Sequence, residues 1–193
     1  DNPHTVVEGQ AIDPIEFHPP FTNGTTTWTV SPSLPVDLSI DPATGRITGS
    51  VNGTMATTTY TVTATHDGGA TEAFSFDLRS LADHDGDGLP NDLPGDYDAA
   101  EGPMPGLVAD GDDDGDGLAD SAETGSGNYV DGTDTGTSPL NPDTDGDGIC
   151  DGPHEVPGAC VNGPDADPNG AVPPPTLVGV NNTAIPTLQP HLA

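Results

Sequence analysis

Short stretches of alternating apolar and polar residues mark the first 80 positions of the chain. In TTTYTVTATH the apolar side chains of Tyr60, Val62 and Ala64 alternate with threonines, and EAFSFDLRS, TTTWTV and GRITGSV repeat this pattern. A period of two places successive side chains on opposite faces, as in a strand that is buried on one side. The intervening segments, such as DPATG and VNGT, have the Gly, Pro, Asn and Asp residues typical of turns. The sequence therefore predicts a mainly β structure that begins with an antiparallel β-sandwich over residues 1–80.

The order of these segments also carries a family resemblance. The stretch SPSLPVDLSIDPATGRITGSV, followed by YTVTATHDGG and a last strand, resembles the immunoglobulin-like (cadherin-like) domains of bacterial and archaeal surface proteins. The resemblance covers roughly residues 5–80 and implies a structural module. The sequence also shows no recognisable set of nucleophile, base and orienting group and no phosphate-binding loop, so we expect that the protein is not an enzyme.

Charge divides the rest of the chain. The sequence has 32 acidic residues and only two basic ones, and 23 of the acids lie within residues 81–167. Residues 168–193 contain no Asp, Glu, Lys or Arg. Self-repulsion at this charge is strong unless cations neutralise it, and nucleic acid and anionic membranes are unsuitable partners. We expect three segments: the sandwich at 1–80, an irregular Asp-rich segment at 81–167, and an extended, uncharged, Pro-rich tail at 168–193.

The Asp-rich segment contains one motif three times. DHDGDGLPND begins at Asp83, DDDGDGLADSAE at Asp112 and DTDGDGICDGPHE at Asp143, with spacings of 29 and 31 residues. Together with the linker DTGTSPLNPDTDGDG, the segment resembles the calcium-binding repeats of thrombospondin type 3 and their relatives in bacterial and archaeal surface proteins. A solvated, disordered acidic linker is the alternative, and three copies in register argue against it. We therefore expect several calcium ions, at least three.

The spacing of the acids suits calcium, because a 12-residue loop can supply oxygens from positions 1, 3, 5, 7, 9 and 12. The middle copy has an oxygen ligand at each place, whereas Pro94 and His154 occupy position twelve of the first and third copies. Asp92, Asp96 or Asp98 could close the first copy, and Glu155 comes one place late in the third. The candidate ligands, with Leu118 and Ile149 contributing backbone carbonyls, are Asp83, Asp85, Asp87, Asn91, Asp92, Asp112, Asp114, Asp116, Leu118, Asp120, Glu123, Asp134, Asp143, Asp145, Asp147, Ile149, Asp151 and Glu155.

Further features place the chain outside the cell. Cys150 and Cys160 could remain free thiols, but we expect a disulfide that closes a short loop in an oxidising compartment. Asn23, Asn52 and Asn181 each begin an N-x-T sequon for N-glycosylation. No run of about 18 apolar residues predicts a membrane-spanning helix, and no signal peptide is visible, which we interpret as a processed or excerpted chain.

The repeats can act as a calcium sensor or as a rigid strut. A sensor needs helices on both sides of the loop, and the Pro- and Gly-rich flanks of the middle copy oppose helices. We therefore expect an extracellular or cell-surface structural protein, whose tail adds a strand to a neighbouring copy and makes a head-to-tail filament. In a second interpretation the tail packs on its own chain. In a third, the chain is a calcium-dependent adhesin or stalk fragment with surface glycans as partners, although Trp28 lies in a core pattern.

Overall fold

The computed structural model describes residues 3–21, 23–100, 102–161 and 163–170 of the 193-residue chain. The chain divides into two compact units, Asp1–Asp114 and Gly115–Ala193. The predicted tail lies outside the described residues from position 171 onward, and so does the strand that we expect it to add to a neighbour.

The first unit is a β structure built from two sheets. Its strands are β1 (His4–Val7), β2 (Thr26–Ser31), β3 (Leu38–Ile40), β4 (Ile47–Gly49), β5 (Met55–His66) and β6 (Thr71–Leu81). One sheet has the strand order β1-β6-β5-β2, and β3 pairs with β4 in the other. The described residues contain no helix. The prediction of a mainly β fold with an N-terminal sandwich is confirmed.

One strand pair differs from the prediction of an antiparallel sandwich. β1 runs parallel to β6, with His4 opposite Leu78 and Val7 opposite Leu81, whereas β2–β5 and β5–β6 are antiparallel. A hairpin forces neighbouring strands to run antiparallel, but a long connection leaves their direction open. Because β1 and β6 lie at opposite ends of the domain sequence, no hairpin fixes their direction, and the purely antiparallel prediction is wrong here.

The core of the first unit follows the alternation read from the sequence. Tyr60, Val62 and Ala64 on β5 are at most 3% exposed, while the threonines between them are more accessible. Burying a large apolar side chain stabilises a fold by about 1.5–3 kcal/mol. Trp28 is 5% exposed and covers Gly45, whose φ of +76° and contact with the indole ring leave no room for a Cβ atom. The predicted core position of Trp28 is confirmed.

The chain that follows β6 packs back on the sandwich, so the first repeat belongs to the same unit. The N–H of Asp83 donates a hydrogen bond to Glu8 Oε1 at 3.1 Å. Arg79, itself buried, pairs with Asp96 Oδ1 through Nη1 at 2.6 Å. The hydrogen bond from Arg79 holds the pKa of Asp96 below its ordinary value. Asp96, one of the acids expected to close the first repeat, is therefore already engaged by a guanidinium.

The second unit lacks a comparable apolar interior. Its described residues form isolated β-bridges but no strand. Its buried hydrophobic residues, within the part of the chain that the structure describes, are Cys150 and Cys160, which form the predicted disulfide. The buried polar residues of this unit are Asp116, Glu123, Thr135, Thr137 and Asp151. Carboxylates and hydroxyls thus take the place that aliphatic and aromatic side chains occupy in the sandwich.

Candidate metal centres

The three copies of the motif share one backbone conformation. Positions four and six of each copy are glycines with positive φ, a region that other residues rarely adopt. Their φ values are +80° and +98° for Gly86 and Gly88, +76° and +88° for Gly115 and Gly117, and +78° and +89° for Gly146 and Gly148. The repeat found in the sequence is therefore also a repeat of backbone geometry.

In the first copy this turn gathers three aspartates. The N–H groups of Gly86 and Gly88 donate hydrogen bonds to the two carboxylate oxygens of Asp83 at 2.9 and 3.0 Å. Asp85 and Asp87 each accept a hydrogen bond from the backbone N–H two residues later. One carboxylate oxygen from each of the three aspartates lies within 4.8 Å of the others. Like charges held this close suit a cation bound among them.

The third copy repeats the arrangement. Gly146 and Gly148 donate to the carboxylate of Asp143, both at 2.9 Å. Asp145 and Asp147 again accept from the backbone two residues later, and the three acids again bring oxygens within 4.8 Å of one another. Two separate parts of the chain therefore build the same oxygen-lined loop.

The side chain at position nine forms a hydrogen bond across the loop in the first and third copies. In the first copy Asn91 Oδ1 accepts a hydrogen bond from the N–H of His84 at 3.0 Å. In the third copy Asp151 Oδ2 accepts one from the N–H of Thr144 at 2.9 Å. Both bonds join position nine to position two. These two predicted ligands thus each use one oxygen to hold the shape of the loop.

The first loop has a further acid beside it, which lies outside the twelve residues of the loop. The N–H of Asp110 donates to the carbonyl oxygen of Pro90, position eight of the loop, at 2.8 Å. Burial raises the pKa of Asp85, and the charges of Asp87, Asp110 and Asp83 raise it further. Asp110 is therefore close enough to act on the loop carboxylates, in a copy where position twelve is a proline.

The third loop has an equivalent acid. The N–H of Asp165 donates to the carbonyl oxygen of Cys150, again position eight, at 2.9 Å. Burial raises the pKa of Asp145, and Asp165 is among the neighbouring charges that raise it further. Asp110 and Asp165 both lie outside the twelve residues of the loop that they approach. The sequence does signal the need for such an acid, because position twelve of both loops lacks one and a group from elsewhere has to complete the ligands.

The boundary between the two units falls within the middle copy. Asp112 and Asp114 end the first unit, and the other predicted ligands of this copy, Asp116, Leu118, Asp120 and Glu123, belong to the second. Asp114 is 2% exposed and Asp116 is fully buried. Four of the predicted acidic ligands belong to none of the acidic groups formed by the described residues: Asp92, Asp120, Asp134 and Glu155. Their role as ligands stays a prediction.

A further acidic group lies inside the second unit. Asp116, Glu123 and Asp151 are all buried, and one oxygen from each lies within 4.8 Å of the others. Asp116 Oδ2 accepts a hydrogen bond from the N–H of Gly152 at 2.6 Å, and Glu123 Oε1 accepts one from the hydroxyl of Thr137 at 2.9 Å. The sequence places these acids in two different repeats, so their proximity could not be read from the spacing.

Burial disfavours the charged form of two acids in this group. It raises the pKa of Asp116 and raises that of Asp151 to about 6, where the charges of Asp116 and Asp143 add to the effect. The carboxylate form is disfavoured in such surroundings unless a positive charge compensates it.

The predicted surface modifications concern two described sites. Asn23 and Asn52 are exposed, and the side-chain amide of Asn52 donates to Asp37 Oδ2 at 2.6 Å. Asn181 lies outside the described residues. Glycosylation of these sequons stays a prediction.

Comparisons with known proteins bear on the first unit. Residues 2–80 match the model of a family described as "Putative Ig domain". The first Ig-like domain of human CD48 antigen is similar at 16% identity, over 50% of this chain and 92% of that chain, with a TM-score of 0.32. The family match, together with the two sheets of the first unit, supports an immunoglobulin-like domain in the N-terminal segment. None of the curated proteins matches the chain.

The likeness to thrombospondin type 3 repeats stays a resemblance read from the sequence. Within the part of the chain that the structure describes, no helix has the length and apolar character needed to cross a membrane.

Proposed function

We propose that this protein is an extracellular structural module whose Asp-rich repeats bind calcium ions for rigidity. The observation that carries the proposal is the recurrence of one loop geometry at Asp83–Asp87 and Asp143–Asp147. In each loop, one carboxylate oxygen from each of three aspartates lies within 4.8 Å of the other two. The immunoglobulin-like domain and the disulfide are compatible with this location. A non-enzymatic role is part of the same proposal.

Calcium fits these loops better than magnesium. Calcium takes six to eight oxygens in a flexible shell, whereas magnesium demands a tight octahedron and retains its waters. Each loop offers three carboxylates, a carbonyl at position seven, and a late acid, which is Asp110 in the first copy and Asp165 in the third. Millimolar extracellular calcium is sufficient even for weak sites.

Rigidity, and not signalling, is the proposed result of binding. A calcium switch of the helix–loop–helix type works by moving the helices beside the loop. Among the described residues no helix flanks these loops: strand β6 ends two residues before the first loop, and the other flanks are irregular. An ion bound here holds turns together, so that the free energy of metal binding becomes free energy of folding.

Limited proteolysis tests this role. The full chain is digested in 2 mM calcium, about the extracellular level, in chelator, and in magnesium at the same concentration. We expect cleavage throughout residues 81–167 in chelator and in magnesium, with residues 1–80 resistant in all three. Resistance of residues 81–167 in chelator would refute calcium-dependent folding.

Assembly into a head-to-tail filament is a second part of the proposal. β1 and β2 are the edges of the four-stranded sheet, and a free edge can accept a strand from another chain. The uncharged, Pro-rich sequence of residues 168–193 suits the role of donor. Electron microscopy of the full chain in calcium should show fibres, and a variant ending at residue 170 should show none. Monomers for both chains would instead favour a stalk or adhesin fragment.

A further inference from the structure

We propose that Asp116, Glu123 and Asp151 form a separate, buried calcium site that joins the middle repeat to the third. The inference rests on the proposed calcium binding of the chain and goes beyond it, because the ion would not belong to any one loop. The three oxygens come from positions five and twelve of one copy and position nine of the next, and they meet within 4.8 Å.

An acidic group alone would not indicate a ligand, but Asp151 supplies a second observation. Its side chain is 3% exposed, and Oδ2 is occupied by the N–H of Thr144. Oδ1 is buried and has no hydrogen-bond partner in the structure. A buried polar atom without a partner destabilises a fold by about 1–3 kcal/mol, more when it is charged. A cation among the three acids would satisfy this oxygen.

Lysine and arginine provide no compensation for this charge, since residues 115–170 contain neither. His154 is the basic side chain beside the group: it interacts electrostatically with Asp116, and its backbone N–H donates a hydrogen bond to the Asp116 carbonyl oxygen. One imidazolium carries a single positive charge, which is too little for three buried carboxylates. A divalent cation with a preference for oxygen is the ligand that fits.

The acids are also held in place by neutral donors. Thr137 holds one oxygen of Glu123, and the backbone of Gly152 holds one oxygen of Asp116. A Cβ atom on Gly152 would overlap Asp116 Oδ1 and lie 2.6 Å from the Asp116 carbonyl oxygen. The third repeat therefore approaches Asp116 through a residue that has to be glycine. Such outer partners orient metal ligands and typically contribute 10- to 100-fold to affinity.

Counting bound ions by native mass spectrometry of the full chain tests the site. With one ion for each of the three loops, wild-type protein should hold four calcium ions. Asp151→Asn keeps the acceptor for the N–H of Thr144 and should hold three. Asp167→Asn, an exposed acid of the same unit, is the matched control and should hold four. Unchanged Trp28 fluorescence and circular dichroism with calcium verify that the variants fold.

A double variant separates this site from the third loop. Asp143→Asn removes a ligand of that loop and should by itself leave three ions, whereas Asp143→Asn with Asp151→Asn should leave two. Three ions in the double variant would mean that Asp151 serves only the third loop, which overturns the proposal. Three ions in the wild type would overturn the buried site but would agree with one ion in each of the three loops. A wild type without calcium would overturn both this site and the proposed function.

Discussion

Removal of calcium should unfold the second unit while the sandwich stays folded. The second unit has a disulfide but, within the described residues, no other buried hydrophobic side chains. A disulfide closing a loop of ten residues contributes about 3 kcal/mol, which is less than the 5–15 kcal/mol of a typical stable domain. On the proposed calcium binding, we therefore expect bound ions to provide most of the stability of this unit.

The size of the effect follows from the sites that lie wholly in this unit, the third loop and the buried group. At a free calcium concentration of 100 Kd, each ion stabilises the folded state by about 2.7 kcal/mol. Two ions together give about 5 kcal/mol, or roughly 10,000-fold in the folding equilibrium. Amide hydrogen exchange in the second unit should accelerate by about this factor, or until it reaches the rate of an unfolded chain.

Hydrogen exchange with mass spectrometry measures this directly on the intact, unreduced chain. Informative amides are those of Cys150, which donates to the carbonyl oxygen of Val161 at 3.0 Å, and of Gly152 in the buried group. Strands β5 and β6 provide the internal reference. Magnesium in place of calcium is the ionic control. Unchanged protection of residues 115–170 in chelator would refute the reasoning, and so would an equal loss in β5 and β6.

Three further predictions concern single residues. Gly45→Ala should destabilise the sandwich by about 1–3 kcal/mol, since a Cβ atom at this positive φ would be strained and would overlap the Trp28 ring. Urea unfolding followed by Trp28 fluorescence measures the loss, and an unchanged unfolding curve would contradict the contact between Gly45 and Trp28. Asp165→Asn should weaken one calcium site about 10- to 100-fold in calorimetric titration, and an unaltered isotherm would exclude it as a ligand. The hydrogen bond from Arg79 lowers the pKa of Asp96 in the folded protein. The ionised carboxylate therefore stabilises the fold above the unfolded-state pKa of Asp96, and this stabilisation is lost as the pH falls through the folded-state pKa. Acid unfolding of Asp96→Asn should lack this pH-dependent contribution, and a pH profile identical to that of the wild type would contradict the prediction.

Strands β2, β4, β5 and β6 were predictable because their side chains alternate over a buried face, whereas β1 was not predicted. Tyr60, Val62 and Ala64 are core residues for the reason that their spacing indicates. The direction of β1 was not predictable, since it depends on a connection through the other sheet and not on any local pattern. The place of the first repeat beside the sandwich likewise depends on long-range bonds such as that of Asp83 with Glu8.

The loops were predictable and their closure was not. The D-x-D-G-D-G spacing fixes both the carboxylates and the two glycines with positive φ, so the sequence alone indicates the local turn. Asp110 and Asp165 reach the loops through backbone bonds to position eight, which no twelve-residue motif contains. The meeting of Glu123 with Asp151 arises from packing between repeats, and a motif read one copy at a time assigns each acid to its own loop.

The central claim is that calcium ions occupy these acidic groups, and anomalous diffraction from crystals grown in calcium tests it most directly. We predict anomalous peaks between Asp83, Asp85 and Asp87 and between Asp143, Asp145 and Asp147, with a further peak at the buried group of the second unit. Ordered loops with no anomalous peak at saturating calcium would contradict the account.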